Sequence, residues 1–429
     1  MSIYPIFFII IFVFGTLAAF FKGPIWGLVL YVFVYFNIPN FQWWGAMVPN
    51  LRWSFTTAGI LLVSCFIHSK KLVPNKDSMS KPLISLILLL FLMALIVPIS
   101  YDPSISLPRV YDYFRYVLVF YLIGRIVSNF KQFHIYLLVM SFCYIYLFWT
   151  SRYYFTGRRL DGVGLPDAAE ANAFAILVIM IVPILVALVF TRNSLWLKMF
   201  CLIGIVLAID CFAMTRSRGS FVGLLVQAVV SLILLRKSVH RKKIFLGLVG
   251  IAILSSVLMD DQFKDRILRS QRNIMQGDAA SVSAGRIDIW KSGIEILKDY
   301  PLGAGGGGFM ALSPKYIPEE ILSSDGTRVA HNLYLQTLTE QGLIGLLLYL
   351  SFIILTISVA FKALRIITKV NRHHDIAFHL NMLIVSVSGF WVAAFFGDRL
   401  YFEGFYLIAA LIPVLHQISR TISIQTETE

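Results

Sequence analysis

Three short stretches set strong hydrogen-bond donors beside long apolar runs: Thr-Arg-Ser-Arg-Gly-Ser at 215–220, Ala-Gly-Arg-Ile-Asp-Ile-Trp at 284–290 and His-Asn-Leu-Tyr at 331–334. Arg216 and Arg218 open an apolar helical pattern whose first turn holds Ser217, Gly219 and Ser220, so unpaired backbone N–H groups meet fixed positive charge there. That combination suits a phosphate, because a guanidinium is planar, stays charged when partly dehydrated and donates two parallel hydrogen bonds. Arg286 heads a second helical pattern, and His331 brings an imidazole that is neutral near pH 7 and can accept a proton from a hydroxyl. Anion binding and proton abstraction are therefore the chemistry these residue types allow. Taken singly, the arginines equally fit side chains that snorkel to lipid headgroups, and His331 fits an interfacial cap.

Other polar groups share the neighbourhood. Arg158, Arg159, Asp161 and Glu170 lie in one loop with Asn172 opening the next helix, and fit either a substrate entrance or solvated loop charge. Arg158, Arg159, Asn332 and Tyr334 are the candidates for lining a substrate cavity, Tyr334 lying one turn below His331. Glu340 lies on the opposite helix face from His331 and roughly 13 Å deeper, so it reads as a group that pairs with another helix. Gly342 and Gly345 allow close helix approach. Asp398 and Glu403 lie on either side of the turn 397–404 together with Arg399, and a carboxylate there could pair with the arginine or touch an acceptor. The glycine-rich Pro-Leu-Gly-Ala-Gly-Gly-Gly-Gly-Phe-Met at 301–310 has no Lys-Ser/Thr ending and no strand before it, which argues against a nucleotide loop. It reads as close packing, with backbone amides open to an anion. No acidic pair marks a metal site. Cys65, Cys143, Cys201 and Cys211 sit in apolar segments without ligand spacing.

The elements that must position these groups are membrane helices. Of 429 residues, 58% are hydrophobic and 14% charged, and the apolar runs are long enough to cross a bilayer. Lipid offers the backbone no hydrogen bonds and the runs lack period-two alternation, so the expectation is an all-α polytopic helical bundle. Apolar segments at about 4–20, 24–38, 54–68, 82–99, 111–127, 133–150, 171–190, 195–213, 219–235, 244–259, 332–362, 376–395 and 400–417 give twelve or thirteen transmembrane helices. The first run lacks a basic leader and a small-residue cleavage site and reads as a retained span. Lysine and arginine gather at 68–81, 236–243 and 362–374, which the positive-inside rule makes cytoplasmic. The net charge of +14 thus reads as topology signals rather than affinity for nucleic acid. By alternation, the loops 39–53, 100–110, 151–170, 214–218, 260–331 and 396–399 face outward, and the three donor-rich stretches share that face. The tryptophan-rich 40–53 reads as an interfacial anchor. Residues 1–259 then form the first part of the bundle, 260–331 a long outer loop, and 332–429 the last helices with a cytoplasmic tail. In that loop Ile287, Trp290, Ile294 and Leu297 recur at helical spacing before Pro301, which predicts an amphipathic helix on the membrane surface. The mixed-charge run 260–275 fits another short surface helix or a lid.

In order along the chain, Ser-Arg-Gly at 217–219, Gly-Arg-Ile-Asp-Ile-Trp with the glycine-rich run at 285–309, and His-Asn-Leu-Tyr-Leu…Glu-Gln-Gly-Leu-Ile-Gly at 331–345 resemble the bacterial O-antigen ligase family. That superfamily also holds O-antigen polymerases and protein O-oligosaccharyltransferases. The likeness covers about 170–350 best, and its most specific element is the run at 331–345. It implies glycan transfer without metal or cofactor at the periplasmic side of the bacterial inner membrane, from an undecaprenyl-diphosphate-linked glycan to a hydroxyl of lipid A core, a growing polymer or a protein. It makes 260–331 a periplasmic loop and adds membrane lipids, but no nucleic acid, to the partners. By resemblance Arg218 and Arg286 hold the diphosphate, Arg216 adds a contact, and His331 activates the acceptor. The chemistry agrees: the sugar already carries a good leaving group, and attack from the opposite face inverts the anomeric centre without a covalent enzyme intermediate. A transporter of an anionic lipid would use the same arginines without chemistry, but would favour internal repeats and polar breaks near the midplane. No repeat is evident, and the polar groups cluster toward one face.

Overall fold

The computed structural model describes residues 3–74, 79–236, 285–370 and 374–428, with most of 241–250. The expected span 244–259 lies largely outside the described residues, and the run 260–275 wholly so. Among the described residues there is no strand. The helices are α1 (Ile3–Phe21), α2 (Pro24–Phe36), α3 (Trp53–Ile67), α4 (Lys81–Ile96), α5 (Pro103–Ile126), α6 (Phe130–Ser151), α7 (Ala171–Thr191), α8 (Leu195–Thr215) and α9 (Arg218–Leu234). After them come α10 (Arg286–Asp299), α11 (Gly308–Tyr316), α12 (Leu333–Ile367), α13 (His374–Ala393), α14 (Glu403–Ala409) and α15 (Leu411–Thr428).

Nine described helical stretches are long and apolar enough to cross a membrane, α14 and α15 counting together, while α3 and α9 are shorter apolar helices. The 24-residue α5 has the length but carries Arg109, Asp112, Arg115 and Arg125. The chain is a multi-pass helical membrane protein. Ser80, Asp102, Asn129, Ser194, Ser217 and Asn332 each cap a helix through a side-chain oxygen that accepts a first-turn N–H. These caps explain why the helices begin where they do.

The central helix α7 is buried along nearly its whole length and packs against α8 and α13. Pro183 lies inside it and cannot donate to Ile179 O, four residues earlier. Gln227 of α9 supplies the missing donor, its Nε2 lying 2.9 Å from that carbonyl. An unpaired carbonyl at membrane depth is costly, so this bond ties α9 to α7. The tie needs room: a Cβ on Gly389 of α13 would lie 2.3 Å from Gln227 Nε2, and one on Gly223 of α9 would lie 2.8 Å from Gly389 O. Small residues thus let α9 and α13 cross closely, bringing the start of α9 beside the end of α13.

The expected single helix 332–362 is broken. Gly342 has φ 66° and ψ −176°, a conformation only glycine adopts without strain. The break frees helix carbonyls, and the glycine-rich loop fills them: Ala304 N donates to Thr339 O and Gly305 N to Glu340 O, each at 2.9 Å. A Cβ on Gly303 would lie 2.6 Å from Glu340 O, and one on Gly342 2.8 Å from Leu302 O. The loop does pack closely, as its composition suggests, but these two amides serve a helix and not an anion. The Glu340 carboxylate is buried and accepts from Tyr401 Oη at 2.9 Å and Gln336 Nε2 at 3.4 Å.

The helix expected from Ile287, Trp290, Ile294 and Leu297 forms as α10, but its buried face is turned. Ile289, Ser292, Gly293 and Ile296 point inward, and Ile287 and Ile294 are exposed. The inward face packs with Phe309 and Leu312 of α11 and Leu335 of α12 in a separate small core. The pattern mistook a helix seated on protein for one resting on lipid alone. In the tryptophan-rich stretch 40–53, Trp44 and Trp53 are likewise buried against Phe8, and Trp43 is half-exposed.

Candidate functional site

Arg216, Arg218, Arg286 and His331 all stand at helix ends on one end of the bundle. Arg216 ends α8 and Arg218 begins α9, with Ser217 between them as the cap. Ser217 Oγ donates to Asn172 Oδ1 at 3.0 Å, which fixes the turn to the start of α7. Gly219 follows because no side chain fits: a Cβ there would lie 2.6 Å from Phe396 Cβ. Arg286 begins α10 after Gly285, which turns the chain with φ 75°. The Arg286 guanidinium lies 5.5 Å from the centre of the Phe396 ring. Phe396 thus separates and orients the two arginine-bearing helix starts. Its neighbour Phe395 contacts Trp290 of α10 edge-on at 5.4 Å and Tyr334 of α12 at 6.0 Å. One short turn after α13 therefore registers α9, α10 and α12.

His331 precedes the Asn332 cap of α12. Its φ is +50°, as is that of Arg216, and these two are the only non-glycine residues with positive φ among the described residues. Such backbone costs about 1–3 kcal/mol and persists only where its surroundings enforce it. Asp398 supplies the enforcement for His331, its Oδ2 accepting the backbone N–H at 2.9 Å. The ring Nδ1 is 4.0 Å from the same oxygen, too far for a hydrogen bond, so Asp398 positions the backbone and leaves the ring available.

Burial, aided by the positive charges of Arg328, Arg286 and Arg399 and opposed by Glu170, pushes the His331 imidazole down to about 4. It is neutral at pH 7. Burial pushes the Asp398 carboxyl up to about 6, against the pull of Arg399 and the His331 N–H. Desolvation also acts on Glu170, but the Arg399 guanidinium 3.1 Å away holds its carboxyl below the usual range. Burial and then the nearby charge of Arg218 lower Arg286 from its ordinary value. The arginines are thus crowded against one another, a state that a bound anion relieves.

The other candidates hold the site together. Arg159 donates to Thr215 O and Asn172 Oδ1, each at 3.0 Å, tying the 157–170 loop to the end of α8. Asn332 Oδ1 accepts from the N–H groups of Tyr334 and Leu335. The Tyr334 hydroxyl donates to Trp391 O at 3.0 Å, and Arg158 is exposed on its loop. Sequence reasoning named Asp398, Arg399 and Glu170 without joining them to His331, and it missed Phe396 entirely. The available signal was the Phe-Phe-Gly-Asp-Arg run at 395–399, two aromatics and two opposite charges within one short turn.

Helices long and apolar enough to cross a membrane, with an arginine–histidine cluster gathered at one end of the bundle, define a polytopic helical membrane protein with a basic polar site. Residues 203–350 match the family model described as O-antigen ligase, which supports the family resembled by the motifs and, with it, an enzyme of glycosyltransferase type. The match contains Arg216, Arg218, Arg286 and His331. An uncharacterized protein of Haemophilus influenzae is 25% identical over 198 residues, covering 43% of this chain and 47% of that protein. The chain thus spans about half the length of this curated relative.

Proposed function

We propose that the site transfers a glycan from a lipid-linked diphosphate, undecaprenyl diphosphate by resemblance, to a hydroxyl of lipid A core at the periplasmic face of the bacterial inner membrane. The observation that carries this reading is Arg286, seated over Phe396 and crowded by the charge of Arg218, together with a neutral, backbone-constrained His331. Arg218 and Arg286, with Arg216 beside them, take the diphosphate through charge-assisted hydrogen bonds. The acceptor hydroxyl gives its proton to His331 as its oxygen attacks the anomeric carbon. The bond from that carbon to the diphosphate breaks, and the electron pair leaves with the phosphate, whose growing charge the arginines stabilise. A ring titrating near 4 is a weak base, but the donor's negative charge offsets the field of Arg286, Arg328 and Arg399 and raises it. The site thereby becomes competent as the donor binds.

The test is transfer from a purified undecaprenyl-diphosphate glycan to lipid A core in detergent, with EDTA present. Wild-type transfer that His331→Ala abolishes, with donor binding retained, is the expected result. A His331→Ala protein as active as wild type would remove the histidine from its role. Wild-type inactivity with lipid A core, but transfer to a growing polymer or a protein, would keep the chemistry and change the acceptor.

A further inference from the structure

The opposite end of the bundle holds a second basic feature, independent of the His331 site. A cleft of about 580 Å³ opens there between the start of α4, α5, the far end of α12 and α15. Lys71, Lys81, Lys362, His416 and Arg420 line it, and no aspartate or glutamate is among its lining residues that the structure describes. Its walls are built. Lys71 Nζ donates to Lys22 O at 3.0 Å, and Val73 N to Arg125 O at 2.8 Å, which pins the chain leaving α3 against the end of α5. Ser80 caps α4 and places Lys81 in its first turn, where the helix dipole adds to the positive field.

We propose that this cleft binds a phosphate-bearing anion, the headgroup of an anionic membrane lipid. Two observations select a lipid over a soluble phosphate. Lys81 is exposed at the start of α4 and Lys362 in the last two turns of α12, with Arg420 exposed midway along α15, while buried Phe120 and Val359 form an apolar wall beside them. An amphiphile satisfies both parts, with its phosphate among the cations and its first methylenes on the apolar wall. Basic pockets between membrane helices take anionic headgroups in this way, each nearby lysine or arginine adding attraction.

The test titrates the full chain, purified in neutral detergent, with phosphatidylglycerol and with phosphatidylcholine, and reads bound lipid by native mass spectrometry. Wild type should retain phosphatidylglycerol in preference to phosphatidylcholine. The triple variant Lys81→Ala, Lys362→Ala, Arg420→Ala should weaken it on the order of a hundredfold, and arginine at positions 81 and 362 should preserve it. A control triple, Lys131→Ala, Arg192→Ala, Lys198→Ala, removes equal charge elsewhere and should leave binding unchanged. Equal losses in both triples, or no preference between the lipids, would overturn the assignment. Displacement of phosphatidylglycerol by millimolar inorganic phosphate would overturn the lipid in favour of a soluble phosphate ligand.

Discussion

At the end of the bundle that holds His331, arginines are interleaved with Glu170 and Asp398, and His331 and Arg216 sit on backbone that only a constrained fold tolerates. At the other end, Lys81, Lys362 and Arg420 stand on ordinary helix, with no carboxylate among the described residues lining their cleft. Both ends are positive, yet the first invests structure in where each charge points, and the second only in gathering charge. A group that must stabilise a leaving phosphate needs direction, because a misplacement of about 1 Å can cost a hundredfold in rate. Holding a headgroup demands far less.

Substitutions can break this contrast. The largest effect is expected for His331→Ala, a loss of transfer on the order of 10²–10⁴-fold. His331→Gly should be just as inactive but more heat-stable than His331→Ala, because glycine accepts positive φ freely. Equal melting temperatures for the two would show that the backbone there is not strained. Arg286→Lys should lower transfer by at least about tenfold, since a point charge cannot replace the planar fork, whereas Lys81→Arg at the other end should leave lipid binding intact. If both exchanges are silent, the two ends do not differ in kind.

The pH profile sharpens the comparison further. His331 titrates near 4 in the free protein, so kcat/KM should keep its histidine limb near that pH, while kcat, which reports the donor-bound form, should show the limb at higher pH. Coincident limbs would place the diphosphate away from the histidine. Asp398 titrates near 6, and Asp398→Asn should remove any limb there while leaving that of His331. The sign for stability follows: between about 4 and 6.5 the unfolded chain binds a proton on His331 that the native chain does not, so this group's contribution falls as pH drops through that window. Asp398 acts oppositely, its native form holding a proton between its ordinary range and about 6. Near the small end, Gly219→Ala should destabilise by about 1–3 kcal/mol through its clash with Phe396, measured by thermal unfolding in detergent.

Local signals were read well and distant ones poorly. The helices follow from apolar length, and the two arginine motifs from residues adjacent in sequence. The glycines of those motifs also have local form, but the reason for Gly219 is Phe396, 177 positions away (396 − 219). The break at Gly342 was hidden for the same reason. Hydropathy continues through it, and what permits it is a loop some forty residues earlier that offers its amides to Thr339 and Glu340. For α10, spacing alone predicted a helix but not which of two apolar stripes meets protein. Asp398 could not be joined to His331 because the link is from a side chain to a backbone N–H, which residue type does not announce.

The bond from Gln227 to the carbonyl that Pro183 leaves open has a consequence for how this chain can vary. A leucine at 227 strands Ile179 O, whereas an ordinary residue at 183 restores its intrahelical donor and leaves the glutamine amide a second acceptor, Ser386 O, at 3.4 Å. Losing Gln227 alone therefore costs about 1 kcal/mol for the stranded carbonyl, and a prior change at 183 removes that cost. The coupling has a direction: position 183 can vary first, and position 227 is released only afterwards.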